Sequence, residues 1–242
     1  IPVLAMAVNL QPVTVLPEEG TVNSTGPLVR VIDDGRGGES RPLIGTVDTV
    51  GGTTYDWQWN GPAYRALINS PEYGVHVAFM MSASMESTFP DRNMRYNFYD
   101  YTAGAWNWVD PDFMQSGVNT YTLRSGFGNM DADPSSGVAV ISAHNGTPIR
   151  PVIARDMAPG AGLFEYCDGS PNAETYQWPY INVGMNGSVQ CAIVDEASGD
   201  QVFYAEVDPW CTWSSPVGMA APQPDPMFPN QNCGVSPCPT VK

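Results

Sequence analysis

Lysine is almost absent from this chain: its only copy is Lys242, and 25 acidic residues against 10 basic ones give a formal net charge of −15. A surface so poor in cations repels a phosphate backbone, which makes nucleic acid a poor partner. No apolar run reaches the roughly 20 residues that a membrane-spanning helix needs, so no membrane span is expected. The acidity is typical of a soluble extracellular protein.

Histidine is equally scarce. The two copies, His76 and His144, are predicted to occupy corresponding places in two repeats, within or just after a strand. No serine or cysteine nucleophile motif accompanies either one, which favours a hydrogen-bonded packing role over catalysis. Long helical stripes of apolar residues are missing too. With 24 glycines and 23 prolines in 242 residues, the chain is expected to form short strands joined by turns.

Three stretches of the chain repeat one plan, because residues 64–100, 127–156 and 180–208 each open with an aromatic residue and close with an aspartate. A glycine precedes an apolar run in each copy, at Gly74, Gly137 and Gly187, as expected for paired strands. Such a unit is typical of four-stranded propeller blades. The sequence therefore predicts an all-β fold of antiparallel propeller-type blades, about three to four repeats, within residues 21–216.

The two ends of the chain differ from the repeats. Residues 1–20 form an apolar, extended N-terminal arm, which either completes a sheet of its own chain or is donated to a neighbouring subunit. The arm begins without a methionine or a basic leader, which is typical of a processed chain. Residues 217–242 are rich in proline and cysteine and are predicted to form an extended tail.

A short motif closes the third repeat. Residues 206–213, EVDPWCTW, resemble the Asp-box of sialidase-like β-propeller repeat proteins of secreted bacterial type, Ser-x-Asp-x-Gly-x-Thr-Trp. Asp208, Thr212 and Trp213 match the pattern, whereas Glu206 and Trp210 depart from it. Asp100 and Trp106 keep part of it at looser spacing, and no tryptophan follows Asp156. The resemblance covers about residues 43–216 at the level of the repeat plan.

The resemblance implies a turn that staples blade strands away from any substrate pocket, so it bears on fold more than on activity. A sialidase-like glycosidase would need clustered arginines, an activated tyrosine beside a glutamate, and an acidic proton donor. The spacing of the available residues singles out none of them, and the sequence favours a protein without a catalytic residue. The candidates for these roles are Arg65, Arg95, Arg124, Arg150 and Arg155, with Tyr64, Tyr96 or Glu165.

Aromatic residues are the candidates for a ligand platform. Tyr55, Trp57 and Trp59 alternate with polar residues, which predicts that they share one face of a strand. Such a stripe is more often core packing, but it could also stack on sugar rings. Trp106 and Trp108, which follow the first repeat, are further candidates for stacking.

The cysteines show no zinc-ligand spacing and indicate an oxidising compartment. We predict one bridge between Cys233 and Cys238 and a second among Cys167, Cys191 and Cys211. The thiol left over is either free or bridged to another chain. Glycosylation acceptor patterns begin at Asn23, Asn145 and Asn186.

Acidic turns offer oxygen ligands for calcium in two places, at residues 131–137 and at Asp195, Glu196 and Asp200. Such turns are common without a metal, and no full ligand loop is present. The sequence therefore predicts no cofactor or metal site, with Ca²⁺ as the alternative.

Three repeats are few for a closed propeller, and open sheet edges must be covered. We therefore predict a secreted or cell-surface protein with a structural or adhesive role. It would assemble with copies of itself or another extracellular protein, as a filament or surface layer, through edge strands or the N-terminal arm. The alternatives are a carbohydrate-binding propeller module and a sialidase-like glycoside hydrolase.

Overall fold

The structure is a computed structural model that describes residues 31–32, 41–42, 48–55, 58, 65–145, 149–168, 176–195 and 201–219. The chain divides into two compact units, residues 1–49 and residues 50–242. The first unit contains an antiparallel pair, β1 (Val31–Ile32) and β2 (Arg41–Pro42). Nearly all of the predicted N-terminal arm and C-terminal tail lies outside the described residues.

The second unit contains three antiparallel sheets of four or five strands. The first sheet has β3 (Leu67–Ser70), β4 (Gly74–Met81), β5 (Asn93–Asp100), β6 (Ala105–Trp106) and β7 (Val118–Asn119). The second has β8 (Ser125–Ala132), β9 (Ala139–Asn145), β10 (Arg150–Asp156) and β11 (Phe164–Asp168). The third has β12 (Tyr176–Val183), β13 (Val189–Asp195), β14 (Gln201–Val207) and β15 (Val217–Gly218), so it extends two residues into the predicted tail.

The predicted all-β, antiparallel class is confirmed. Within the described ranges the one helical element is a 3₁₀ turn at Phe113–Gln115, capped by the Asp112 side chain. None of the helical structure in those ranges is long and apolar enough to cross a membrane. The dense glycine and proline content explains this outcome, because both residues disfavour helix interiors.

Two apolar cores hold the sheets together face to face. The first core lies between the first and second sheets and includes Met80, Tyr96 and Ile141. The second lies between the second and third sheets and includes Ile153 and Ile193. The second sheet is therefore buried on both faces, which explains why β9 and β10 are apolar at successive positions instead of alternating.

The three repeat glycines lie where each sheet turns from its first strand into its second. Gly137 and Gly187 have φ angles of 70° and 78°, which a residue with a Cβ adopts only under strain. Gly74 is constrained differently, because a Cβ there would collide with the Tyr99 carbonyl oxygen and the Phe98 ring. The repeat plan in the sequence thus corresponds to three successive hairpins.

The three closing aspartates have one shared role: each carboxylate accepts backbone N–H groups in the turn after the third strand of its sheet. Asp100 accepts from Thr102 and Ala103 at 2.7 and 3.2 Å. Asp156 accepts from Gly162 and Leu163, both at 3.1 Å. Asp208 accepts from Trp210 and Thr212 at 2.9 and 2.8 Å. Such bonds fix the turn because they satisfy donors that the strand ladder leaves unpaired.

Replacing Asp208 with alanine is expected to lower the free energy of unfolding by roughly 1–2 kcal/mol, because two backbone donors lose a charged acceptor. Asp208→Asn keeps the accepting Oδ1 and is the matched control, which we expect to lose less. Urea unfolding of the three proteins measures the difference. Equal midpoints for Asp208→Ala and the parent protein would show that the turn is held by other contacts.

Three details of the sequence prediction are wrong. The described residues of the predicted aromatic strand, Tyr55 and Gln58, lie outside any strand. The Gln58 amide instead pairs with the Met80 backbone, donating to its carbonyl at 3.0 Å and accepting from its N–H at 2.9 Å. A side chain thus occupies the edge of β4 beyond the end of β3.

The second error concerns the third repeat, in which Trp178 and not Tyr180 is the counterpart of Phe127. Both Phe127 and Trp178 lie at register shifts in the first strand of their sheets and have φ angles of 50° and 55°. The third error concerns the histidines. His76 lies near the start of β4 and His144 near the end of β9, so they occupy opposite ends of their sheets.

Candidate functional site

Six side chains converge at the end of the sheets that lies opposite the glycine hairpins. The second strand of the second sheet ends there, where His144 pairs with Gly126 of β8 and Pro151 of β10. Segments from five parts of the chain meet around this point. We call the group the arginine–aromatic cluster and define it as Tyr55, Arg92, Arg124, Phe127, His144 and Trp178.

Arg92 is the centre of the cluster. Only 7% of this residue is exposed. Its guanidinium carbon lies 4.7 Å from the centre of the Phe127 ring and 5.2 Å from that of Tyr55, at distances typical of cation–π contacts. Nε donates to the Ser125 carbonyl at 3.2 Å and Nη1 donates to the Tyr55 hydroxyl at 3.3 Å. These two bonds use only part of the five N–H donors of the side chain.

No carboxylate among the described residues forms an ion pair with Arg92, in contrast to Arg65 and Arg155, which pair with Asp131 at 2.7 Å and Asp133 at 3.4 Å. Burial lowers the pKa of Arg92, and the positive charge of Arg124 lowers it further. Two guanidinium groups therefore lie near each other in a protein with a net charge of −15. A buried cation without a counter-ion costs free energy, which a bound anion would relieve.

His144 and Trp178 add two buried nitrogen atoms without hydrogen-bond partners, Nδ1 of the imidazole and Nε1 of the indole. Their rings lie 4.9 Å apart, and the Phe127 ring lies 5.3 Å from His144 and 4.9 Å from Trp178. Burial lowers the pKa of His144 to about 3, with smaller contributions from the charges of Arg92 and Arg124. The imidazole is therefore neutral at physiological pH.

Backbone strain is concentrated at the same place. Four residues other than glycine have positive φ in the described part of the chain, namely Phe89, Phe127, Trp178 and Cys211. Phe127 and Trp178 belong to the cluster, and Phe89 packs edge-on against Tyr55 at 4.8 Å. Positive φ for an aromatic residue costs on the order of 1–3 kcal/mol and persists mainly at functional sites. The strained backbone conformation therefore sets the orientation of these rings in the cluster.

The arrangement can bind an anion and a flat apolar surface together. The Arg92 guanidinium and the Trp178 indole have N–H donors without partners among the described residues, whereas Tyr55, Phe127 and Trp178 present half-buried ring faces. Arg124 is exposed and already donates to the Phe89 and Thr88 carbonyls at 3.1 Å, so it contributes mainly positive charge. The described residues include no group of three or more His, Cys, Asp or Glu side chains that could hold a metal ion. The converging donors and ring faces suit the recognition of such a ligand.

The stacking residues predicted from sequence are dispersed. Tyr55 belongs to the cluster. Trp106 is half-buried edge-on against Tyr99 at 5.4 Å. Trp108 packs on the first core next to Tyr96 at 5.9 Å and does not form an open platform. Trp57 and Trp59 lie outside the described residues.

The arginines and acids proposed for a sialidase-like site do not converge either. Arg65 and Arg155 are held in ion pairs, and Arg95 donates to the Gln115 carbonyl at 3.5 Å. Tyr96 is fully buried, and burial raises its pKa. Glu165 is exposed on β11, and Tyr64 lies outside the described residues. Of the five predicted arginines, Arg124 alone belongs to the cluster, and Arg150 is exposed at the start of β10.

The other predicted sites are partly resolved. Cys167 and Cys211 form a disulfide, and Cys191, the third cysteine of that predicted set, is the thiol left over and is buried in the second core. Asn145 is half-buried at the end of β9, and Asn186 is exposed in a turn. The carboxylates of Asp131 and Asp133 form ion pairs with arginines, and Asp133 also accepts a backbone N–H of its turn. Few of their oxygen lone pairs are therefore free to bind calcium. Asn23, Cys233, Cys238, Glu196 and Asp200 lie outside the described residues.

Comparisons with known proteins give no family. No protein-family model and no curated protein matches the chain. Among solved structures, it is similar to a polysaccharide lyase of family PL25, an ulvan lyase, with a TM-score of 0.46 and 14% identity over 67% of this chain and 40% of the lyase. An ulvan lyase bound to -[GlcA(1-4)Rha3S]- gives a TM-score of 0.49 and 14% identity over 72% and 41%. The chain thus spans about 40% of the length of these lyases, and at such TM-scores the similarity does not bear on the cluster.

Sequence reasoning missed Arg92 and Trp178. For Trp178 a signal was present, because it precedes Gly187 by nine residues, close to the ten that separate Phe127 from Gly137. Arg92 has no such signal. It lies in the turn before β5, and only the packing of Tyr55 and Phe127 around it distinguishes it from the other arginines.

Proposed function

We propose that this chain binds an acidic carbohydrate at the arginine–aromatic cluster. The observation that carries the proposal is the buried guanidinium of Arg92, which packs against two aromatic rings and has no carboxylate partner among the described residues. A carboxylate or sulfate accepts hydrogen bonds from guanidinium in a planar, often bidentate geometry. Such a group on the ligand would supply the missing counter-charge.

The aromatic rings support a sugar over a small free anion. Carbohydrate rings have apolar faces of C–H groups, and ligand sites combine aromatic surface with a few converging polar groups. Phe127 and Trp178 provide half-buried rings at equivalent bulges of neighbouring sheets. The proposal keeps the carbohydrate-binding alternative from the sequence analysis. It assigns the sugar-stacking surface to Phe127 and Trp178 instead of Trp106 and Trp108.

Replacing Arg92 with alanine is expected to weaken the binding of an acidic tetrasaccharide roughly 10- to 150-fold, because the ligand loses charge-assisted hydrogen bonds. Isothermal titration calorimetry with tetragalacturonate tests the carboxylate form of the ligand, and a κ-carrageenan tetrasaccharide tests the sulfate form. Maltotetraose is the neutral comparison, for which binding should be weak with or without Arg92.

Arg155→Gln is the matched control, because it removes the same charge from a guanidinium that pairs with Asp133 near the glycine hairpins. We expect this variant to bind both acidic tetrasaccharides like the parent protein. Equal affinity of Arg92→Ala and the parent protein for the acidic sugars, or a preference for maltotetraose, would rule out the proposed site.

The three sheets also support the finer prediction that they are consecutive propeller-type blades. Each is an antiparallel meander with an aspartate turn after its third strand, and neighbouring sheets pack face to face through the two cores. The first strands β8 and β12 each carry a positive-φ aromatic residue of the cluster at a register shift, which supports the repetition of one unit. A crystal structure with β3, β8 and β12 on different sides of the sheet stack would contradict this arrangement.

Self-assembly through edge strands or the N-terminal arm stays a prediction, because residues 1–30 lie outside the described residues. Electron microscopy of the protein with and without residues 1–16 tests it, and monomers in both samples would count against it. The disulfide Cys167–Cys211 is consistent with an extracellular protein. We propose on this basis that the chain is secreted. The sialidase-like activity also stays a prediction.

A further inference from the structure

We infer that His144 takes up a proton when an anionic group binds at the arginine–aromatic cluster, so that the affinity for acidic sugars rises as the pH falls. This inference rests on the proposed function and adds a mode of regulation to the same site. The protonation state of His144 would then set how tightly the site binds an anionic ligand.

The position of the imidazole is the first observation. His144 is 5% exposed and its ring packs edge-on against the rings of Phe127 and Trp178. Its Nδ1 has no hydrogen-bond partner. A buried polar nitrogen without a partner is costly, and an acceptor brought by a ligand would satisfy it.

The charges around the ring are the second observation. Among the described residues, the charged groups that act on His144 are Arg92, from the turn before β5, and Arg124, from the turn before β8. The strands packed against it contribute Phe127 from β8, Pro151 from β10 and Trp178 from β12, none of which is charged. Both charges are positive, so without a ligand they oppose protonation of the imidazole.

A bound anion reverses this balance. A carboxylate or sulfate held by Arg92 neutralises the nearby positive charge, and an imidazolium can then donate a hydrogen bond to the anion. By thermodynamic linkage, a ligand that raises the pKa of a group binds more tightly when that group is protonated. If the pKa of His144 returns to its ordinary value near 6.5 in the complex, affinity rises about tenfold between pH 7.5 and pH 5.5.

The test uses the intact protein and tetragalacturonate. Titration calorimetry at pH 6.0 in buffers of different ionisation enthalpy gives the number of protons taken up on binding. We expect net uptake of more than half a proton for the parent protein, and affinity about tenfold higher at pH 5.5 than at pH 7.5. In His144→Asn, the proton uptake and the rise in affinity with falling pH should both be lost.

An NMR measurement avoids dependence on the variant, because the chain contains only two histidines. The ¹⁵N shifts of His144 should show a neutral ring in the free protein at pH 6.0 and an imidazolium in the tetragalacturonate complex. His76 is the internal control and should stay neutral in both. Binding without proton uptake, or uptake that persists in His144→Asn, would overturn the role of His144 and leave the proposed function standing. Absence of binding at every pH would overturn both.

Discussion

Lowering the pH from 7 to 5 is expected to reduce the free energy of unfolding by about 4 kcal/mol, because both histidines are buried in the neutral form. Burial lowers the pKa of His76 to about 4 and that of His144 to about 3. In the unfolded chain each imidazole takes up a proton near its ordinary pKa of about 6.5. Below that pH, proton uptake therefore favours unfolding until the folded protein also becomes protonated.

The contacts of His76 explain why it resists protonation. Nδ1 lies 2.7 Å from the Tyr96 hydroxyl and Nε2 lies 3.1 Å from the Ser70 hydroxyl, so a neutral ring satisfies both with one donor and one acceptor. An imidazolium would carry two donors and an unpaired charge into a fully buried site. Asp156 has the opposite effect on the pH dependence of stability. Burial raises its pKa, so the folded protein binds this proton more readily than the unfolded chain does.

Urea unfolding at pH 7, 6 and 5 measures the effect. Each histidine accounts for about half of the expected loss, roughly 2 kcal/mol. The single variants His76→Gln and His144→Gln should each be less stable at pH 7, yet each should lose only about half as much on acidification. An unchanged unfolding midpoint between pH 7 and pH 5 would show that neither ring is neutral and buried in the folded protein.

Removing the Cys167–Cys211 disulfide, in the double variant Cys167→Ala/Cys211→Ala, is also expected to cost about 4 kcal/mol. The bond joins residues separated by 44 positions, and the chain-entropy model assigns about this value to a loop of that size. It links edge strand β11 of the second sheet to the turn after β14 of the third sheet. Cys167 and Cys211 also pack on the second core, so their loss adds a smaller packing cost.

Denaturant unfolding of the double variant and of the parent protein, each with and without dithiothreitol, measures this contribution. The reductant should destabilise the parent protein by nearly the same amount as the double substitution. Any further effect of reductant on the double variant reports the other predicted bridge, Cys233–Cys238. A double variant as stable as the oxidised parent would show that the second core alone fixes the third sheet.

The strands could be predicted from the sequence, whereas the site could not. Gly74, Gly137 and Gly187 mark the hairpins in the structure because close backbone approach or positive φ excludes other residues there. Asp100, Asp156 and Asp208 mark turns for an equally local reason, since each carboxylate binds N–H groups a few residues ahead. Interactions within one turn leave a signature in the sequence.

The cluster leaves almost no such signature. Tyr55, Arg92 and His144 are separated by 37 residues or more along the chain, and only the packing of the sheets brings them together. The same limit applied to the cysteines, where sequence left the pairing among Cys167, Cys191 and Cys211 open. Cys191 is excluded from pairing because it points into the second core, which no spacing rule could show.

By itself, the sequence determined the strand class, the three repeats and their turns, because alternation, glycine and aspartate act over a few residues of backbone. The tertiary structure decided which side chains share an environment. It left Arg92 buried without a carboxylate partner in the part of the chain that the structure describes, packed His144 against two aromatic rings and paired Cys167 with Cys211. The burial of a side chain and its electrostatic interactions with residues distant in sequence depend on how the sheets pack. The proposed binding site therefore depends on that packing.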